Sequence, residues 1–123
     1  MIYPSIRIYL KKYQQSQGLV SDILGLIRCP THEVLRSPFH WKVIGYLQDF
    51  RHTDHVYYDA EAFDKLGYLT LSPSKEAIQM IFITKSEKNP PHKMMVSLLM
   101  LRFAYFIKKH FRESIDYIEM EIK

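Results

Sequence analysis

The chain has 123 residues, with 17 Lys and Arg against 13 Asp and Glu for a net charge of +4, and 47% of its residues are apolar. That length fits one domain over residues 1–123, and an aromatic share of 14% argues against a disordered linker or tail. The charge excess is too small to mark a nucleic-acid protein by itself. No uncharged apolar run approaches the roughly 18 residues that a membrane span needs.

In chain order, the first apolar residues carry two periods at once. Ile6, Tyr9, Leu10 and Tyr13 follow helical spacing behind Ser5 as a cap, which predicts a helix ending near Gly18. Ile6, Ile8 and Leu10 also alternate, so a strand competes there. Val20, Ile23, Leu24 and Ile27 form one helical face within residues 19–28, stopped before Pro30. Thr31 caps a short turn through Leu35. Ser37-Pro38 then offers a capping hydroxyl with proline at the first helical position. The segment FHWKVIGYLQDF, residues 39–50, is therefore expected as a helix. Phe39, Val43, Tyr46, Leu47 and Phe50 share one side of it, and Trp41 lies off that stripe.

Further on the period changes. Asp59 can cap a short helix over residues 60–66 that ends at Gly67. YLTLS and AIQMIFIT, separated by Ser-Pro-Ser-Lys, read as a β-hairpin, and the second run is apolar on both faces as a central strand should be. Asn89-Pro90-Pro91 opens the strongest helix, about residues 92–112. Its apolar stretch from Met94 to Ile107, interrupted only by Ser97 and Arg102, suits a buried core helix. DYIEMEIK sets Ile118, Met120 and Ile122 against Glu119, Glu121 and Lys123, a half-buried strand. The predicted fold is α+β: N-terminal helices, then a hairpin, a long buried helix and a C-terminal strand. Its sheet is expected to be small, mainly antiparallel, with three or four strands packed on the 94–111 helix.

The stretch richest in chemistry is HTDHVYYDAEAFD, residues 52–64. It holds Asp54, Asp59, Glu61 and Asp64 without a Lys or Arg. These thirteen positions carry −4, so the other 110 carry +8. Such a segment and its neighbours suit four uses.

A metal site would draw on Cys29-x-x-His32 and His52-x-x-His55, since thiolate and imidazole are zinc ligands and paired spacing lets one turn supply two. One cysteine and a proline at position 30 make that match loose, and four unrelated capping or surface groups account for it better. No metal or cofactor is expected.

Catalysis would use His52, Asp54 and His55, with His40 or Tyr57 beside them. Adjacent side chains diverge, however, and no nucleophile elbow, phosphate-cradling glycine loop or HExxH is present. Nucleic acid would meet Lys108, Lys109 and Arg112 near Phe111, yet bases at a helix C-terminus are equally explained by the helix dipole. Residues 39–50 could serve as a winged-helix recognition helix, but Lys42 is their only base.

A protein partner fits best. Asp49, Asp54, Asp59, Glu61 and Asp64 interleave with Tyr57, Tyr58 and Phe63. Carboxylates steer a cationic surface inward, and tyrosines supply contact area at little entropic cost. The expected function is a small non-catalytic protein-binding module. An immunity- or antitoxin-like inhibitor that covers a cationic, nuclease-type toxin surface is the concrete form. A nucleic-acid-binding regulator or small nuclease is the alternative. The lone Cys29 cannot form an internal disulfide, which favours the cytoplasm.

Overall fold

In the computed structural model the described residues are 3–36, 41–44, 55–58, 66–84 and 88–121. In chain order they form β1 (Ser5–Leu10), α1 (Ser16–Arg28), α2 (His32–Arg36), β2 (Trp41–Ile44), β3 (His55–Tyr58), β4 (Gly67–Pro73), β5 (Ala77–Thr84), α3 (Lys93–Phe111) and β6 (Ile115–Glu121). The fold is α+β. One antiparallel sheet of six strands has the order β2-β3-β4-β5-β1-β6.

The opening segment resolves in favour of the strand. Ile6, Ile8 and Leu10 are buried while Arg7 is exposed, and β1 pairs with β5 on one side and β6 on the other. Pairing on both sides satisfies the backbone of all six residues, which a surface helix of this length cannot match. The predicted helix end near Gly18 moves with it. A turn containing Tyr13 at φ 76° ends β1, and α1 begins at Ser16.

Where a helix over residues 39–50 is expected, residues 41–44 are the strand β2, paired antiparallel with β3. Residues 39–40 and 45–50 lie outside the described residues. Trp41, which sits off the helical stripe, is a core residue. Only 4% exposed, it packs its ring 4.5 Å from that of Phe103. This strand also removes the basis for a winged-helix recognition element there. The helix expected over residues 60–66 falls on residues mostly outside those described, and Gly67 opens β4 instead of closing a helix.

The remaining elements match the sequence reading. Thr31 Oγ1 accepts from the Val34 N–H at 3.4 Å at the start of α2. β4 and β5 form the hairpin, its turn closed where Ser74 N–H and Oγ both donate to the Ala77 carbonyl. Ser16, buried at the start of α1, donates its hydroxyl to the Ser74 carbonyl and so ties the first helix to that turn. The His92 imidazole caps α3 by accepting from the Met94 N–H at 3.1 Å. Because β5 and β6 both run antiparallel to β1, they are parallel to each other and need a crossover, which α3 provides. Tyr3 pins the start of that crossover by donating to the Pro91 carbonyl at 2.7 Å.

The core occupies one face of the sheet. Ile6, Ile8, Leu69, Leu71, Ile78, Met80 and Phe82 point into it from the strands, Ile23 and Leu24 from α1, and Leu99, Met100 and Phe103 from α3. The sheet has six strands where three or four are expected, because β1, β2 and β3 join the hairpin and the C-terminal strand. On the other face Tyr9 and Tyr117 stack at 4.3 Å across the β1–β6 pair, beside the Arg7–Glu119 register pair.

Candidate functional site

Helix α3 lies with one side on the sheet, which buries Val96, Leu99, Met100, Phe103, Ala104, Phe106 and Ile107. Its sequence is apolar nearly all round, so the side turned away from the sheet is apolar too. Met94 is 74% exposed, Leu98 43%, Leu101 50% and Tyr105 69%. These four follow intervals of four, three and four residues, which at 3.6 residues per turn places them in one line along the helix. Together they expose on the order of a few hundred Å² of apolar surface, the size at which a patch on a lone domain calls for a reason.

Charge frames this line. Lys93 stands at the start of α3, Arg102 beside its middle, and Lys108, Lys109 and Arg112 at its end, all exposed. No carboxylate lies between Lys88 and Arg112. Cations at the last turn offset the partial negative charge of the helix terminus, so the dipole alone accounts for Lys108 and Lys109.

A second feature gathers around the end of the same helix. Asp22, Cys29, Glu33, His110 and Phe111 line a concavity of about 530 Å³ between α1, α2 and α3. The fold thus brings Cys29 and His110 to one hollow from opposite ends of the sequence. The His110 ring lies 4.9 Å from that of Phe106. Partial burial, with Lys109 next to it and Glu33 opposing, lowers the His110 pKa below its ordinary 6.5. The unfolded chain therefore binds that proton more readily than the folded one, and stability falls as the pH drops below 6.5 through the folded-state value. Melting temperatures at about pH 7.5 and at a series of lower pH values below 6.5 follow this titration. The expected result is a larger acid-side loss for the native chain than for His110→Gln. Equal losses in both would show that His110 contributes nothing to the pH dependence.

The residues singled out from the sequence fare differently. Tyr57 and Tyr58 belong to β3, in register with Lys42 and Trp41 of β2. Asp49, Asp54, Asp59, Glu61, Phe63 and Asp64 lie outside the described residues, as do His40 and His52. Of the zinc-type ligands, Cys29 and His32 sit at the end of α1 and the start of α2, and His55 pairs with Thr70 in the sheet. Among the described residues no three His, Cys, Asp or Glu gather closely enough to hold a metal ion. Lys108, Lys109 and Arg112 do stand together on the surface. Sequence reasoning missed the outward line of α3, although its signal was present: apolar residues at four-three-four spacing with no acid nearby.

No helix among the described residues is long and apolar enough to cross a membrane. No protein-family model, no curated protein and no solved structure matches the chain.

Proposed function

We propose that this chain is a small protein-binding module that acts by contact and not by chemistry. The observation that carries the reading is the outward line of α3. Its apolar side chains are fixed on a rigid helix and left uncovered by their own sheet. Met, Leu and Tyr held in that way lose little entropy on contact and gain from burial, which is what a docking surface needs.

An immunity- or antitoxin-like inhibitor is the concrete form of this reading. The acidic stretch supports it from the sequence, because Asp49, Asp54, Asp59, Glu61 and Asp64 with Tyr57, Tyr58 and Phe63 suit a cationic, nuclease-type surface. The two surfaces would meet partners of opposite sign. A cytoplasmic setting belongs to the same reading, on the strength of a single unpaired cysteine.

The test is position-specific crosslinking in the native host. A photoreactive benzophenone side chain at position 98 should yield a protein adduct of one defined mass, and the same group at exposed position 17 in α1 should not. Equal labelling from both positions, or none from position 98, would defeat α3 as a docking face. For the immunity-type form, Asp54→Asn, Asp59→Asn, Glu61→Gln and Asp64→Asn together should abolish capture of a cationic toxin while the fold persists. Capture that survives at physiological salt would place that surface elsewhere.

A second reading keeps one observation. Lys108, Lys109 and Arg112 form an exposed cationic end to α3, suited to phosphate. It requires binding that weakens steeply with salt and depends on those three residues. No retention on nucleic acid at low salt would remove it.

A further inference from the structure

We propose that strand β6, the open edge of the sheet, pairs with the β6 of a second copy of this chain, antiparallel about a two-fold axis at Ile118. β6 is the outermost strand on its side, seven residues long, and its partner in the sheet is β1. Among the described residues nothing pairs with its outer side. Alternate residues of the strand therefore point their N–H and carbonyl groups outward, a template for another strand. The opposite edge, β2, is short at four residues and carries Lys42, both of which discourage pairing. β6 has neither proline nor lysine over 115–121.

The side chains select which strand fits. Ile118 and Met120 are half-buried at the rim of the core, while Tyr117, Glu119 and Glu121 lie on the other face. An added strand must bring an apolar residue to Ile118 and no carboxylate directly opposite Glu119. β6 does so against itself in one register. With Ile118 on Ile118, Tyr117 faces Glu119 of the other copy and Met120 faces Asp116. Two residues one way, Glu119 meets Glu119. Two residues the other way, Ile118 meets Asp116 and the apolar contact is gone. A shift of one residue turns the apolar side chains onto the polar face. The glutamates thus fix the register.

Neighbouring charges permit this pairing. Arg7, which donates to the Tyr9 hydroxyl, attracts Glu121 and Glu119 of its own chain. Each Glu119 therefore enters the seam beside a cation, which offsets its diagonal approach to the other Glu119. Glu121 of one copy runs toward the turn before β6 of the other, where Lys11 and Arg112 stand with Glu113. The pairing closes at Asp116, the extra residue of the bulge between Tyr9 and Leu10, and so covers residues 116–120. The axis is normal to the sheet, so the Ile8–Ile118 row of one copy continues into that of the other and both α3 helices stand on the same side. A parallel pairing, with the axis along the strands, turns Ile118 of one copy to the opposite face from its mate. These contacts do not involve the outward line of α3, so the pairing stands or falls separately from the docking reading.

Sedimentation velocity of the full chain over a wide range of concentration should show monomer and dimer in exchange. Tyr117→Glu should weaken the dimer by about tenfold, because the axis counts each like-charge contact twice. Tyr117→Lys should leave it as tight or tighter. Both variants give up the stack on Tyr9, so the difference between them reads the charge opposite. In a Cys29→Ser chain, Ile118→Cys should close a disulfide between copies in a buffer of oxidised glutathione, since position 118 meets itself across the axis. Tyr117→Cys, Glu119→Cys and Met120→Cys should not. A monomer at every concentration overturns the proposal, as do equal dimers from Tyr117→Lys and Tyr117→Glu. Crosslinking at 117, 119 or 120 in place of 118 refutes the register. A dimer that Leu101→Ser dissociates and Tyr117→Glu leaves intact belongs to α3 instead. Assemblies that grow without limit replace the closed pair with β6 on β2, an open chain of copies.

Discussion

Phe103→Ala should remove about 3–5 kcal/mol of stability, the range for deleting a buried aromatic ring, whereas Leu101→Ala two positions earlier should change it by less than about 0.5 kcal/mol. Both residues are large, apolar and in the same turn of α3; only their direction differs. Phe103 is fully buried, with its ring 4.5 Å from that of Trp41 and 6.0 Å from that of Phe106 in an edge-on arrangement. Removing it leaves a cavity where α3 meets the edge strand β2, and two aromatic rings lose a neighbour. Leu101 is half exposed on the outward line, so truncation deletes little that the native fold had taken from water. Against a total of about 5–15 kcal/mol for a domain of this size, the first change threatens folding and the second does not. Urea unfolding followed by fluorescence reads both, because Trp41 is the only tryptophan and touches Phe103. A cost for Leu101→Ala as large as that for Phe103→Ala would mean that the outward line is packed against its own chain, and the docking surface would be lost with it.

That contrast marks where the sequence could be read and where it could not. The hairpin β4–β5, the long helix and the C-terminal strand were legible because each shows one period, unopposed, over enough residues. The first strand was not, because Ile6, Ile8, Leu10 and Ile6, Tyr9, Leu10, Tyr13 give both periods in one short segment. Pairing with β5 and β6, remote partners that no local pattern reveals, decided between them. At residues 41–44 a strong helix-start signal in Ser37-Pro38 outweighed Trp41 and Val43, whose alternation covers only four positions. For α3 the fault lay elsewhere. Fourteen mostly apolar residues predict a buried helix, but a helix on a two-layer fold can give the sheet only one side. The outward line is what remains. The hollow shared by Cys29 and His110 had no local signal at all, since its walls come from three helices that only the fold assembles.

Gly67 and Gly25 test the fold in opposite directions under the same substitution. Gly67→Ala should cost about 2–5 kcal/mol, combining backbone strain with overpacking. Gly67 adopts φ +156°, and an added Cβ would collide with the Ile83 carbonyl oxygen and lie 2.7 Å and 2.9 Å from two atoms of the Phe82 ring. The carbonyl belongs to the paired strand β5, opposite which β4 starts at Gly67↔Thr84, so it cannot withdraw without opening the hairpin. Nor can the ring, which is buried and set edge-on against Tyr3 at 5.0 Å. Gly25→Ala meets no heavy atom within 4 Å and lies in the interior of α1, exposed. There a methyl group restricts the unfolded chain more than the folded one, and a gain of about 0.5–1 kcal/mol is expected. Thermal unfolding of the two variants side by side gives shifts of opposite sign. Should Gly67→Ala melt at or above the native temperature, the start of β4 cannot approach β5 as closely as this register requires, and the hairpin pairing from Gly67↔Thr84 onward would have to be redrawn.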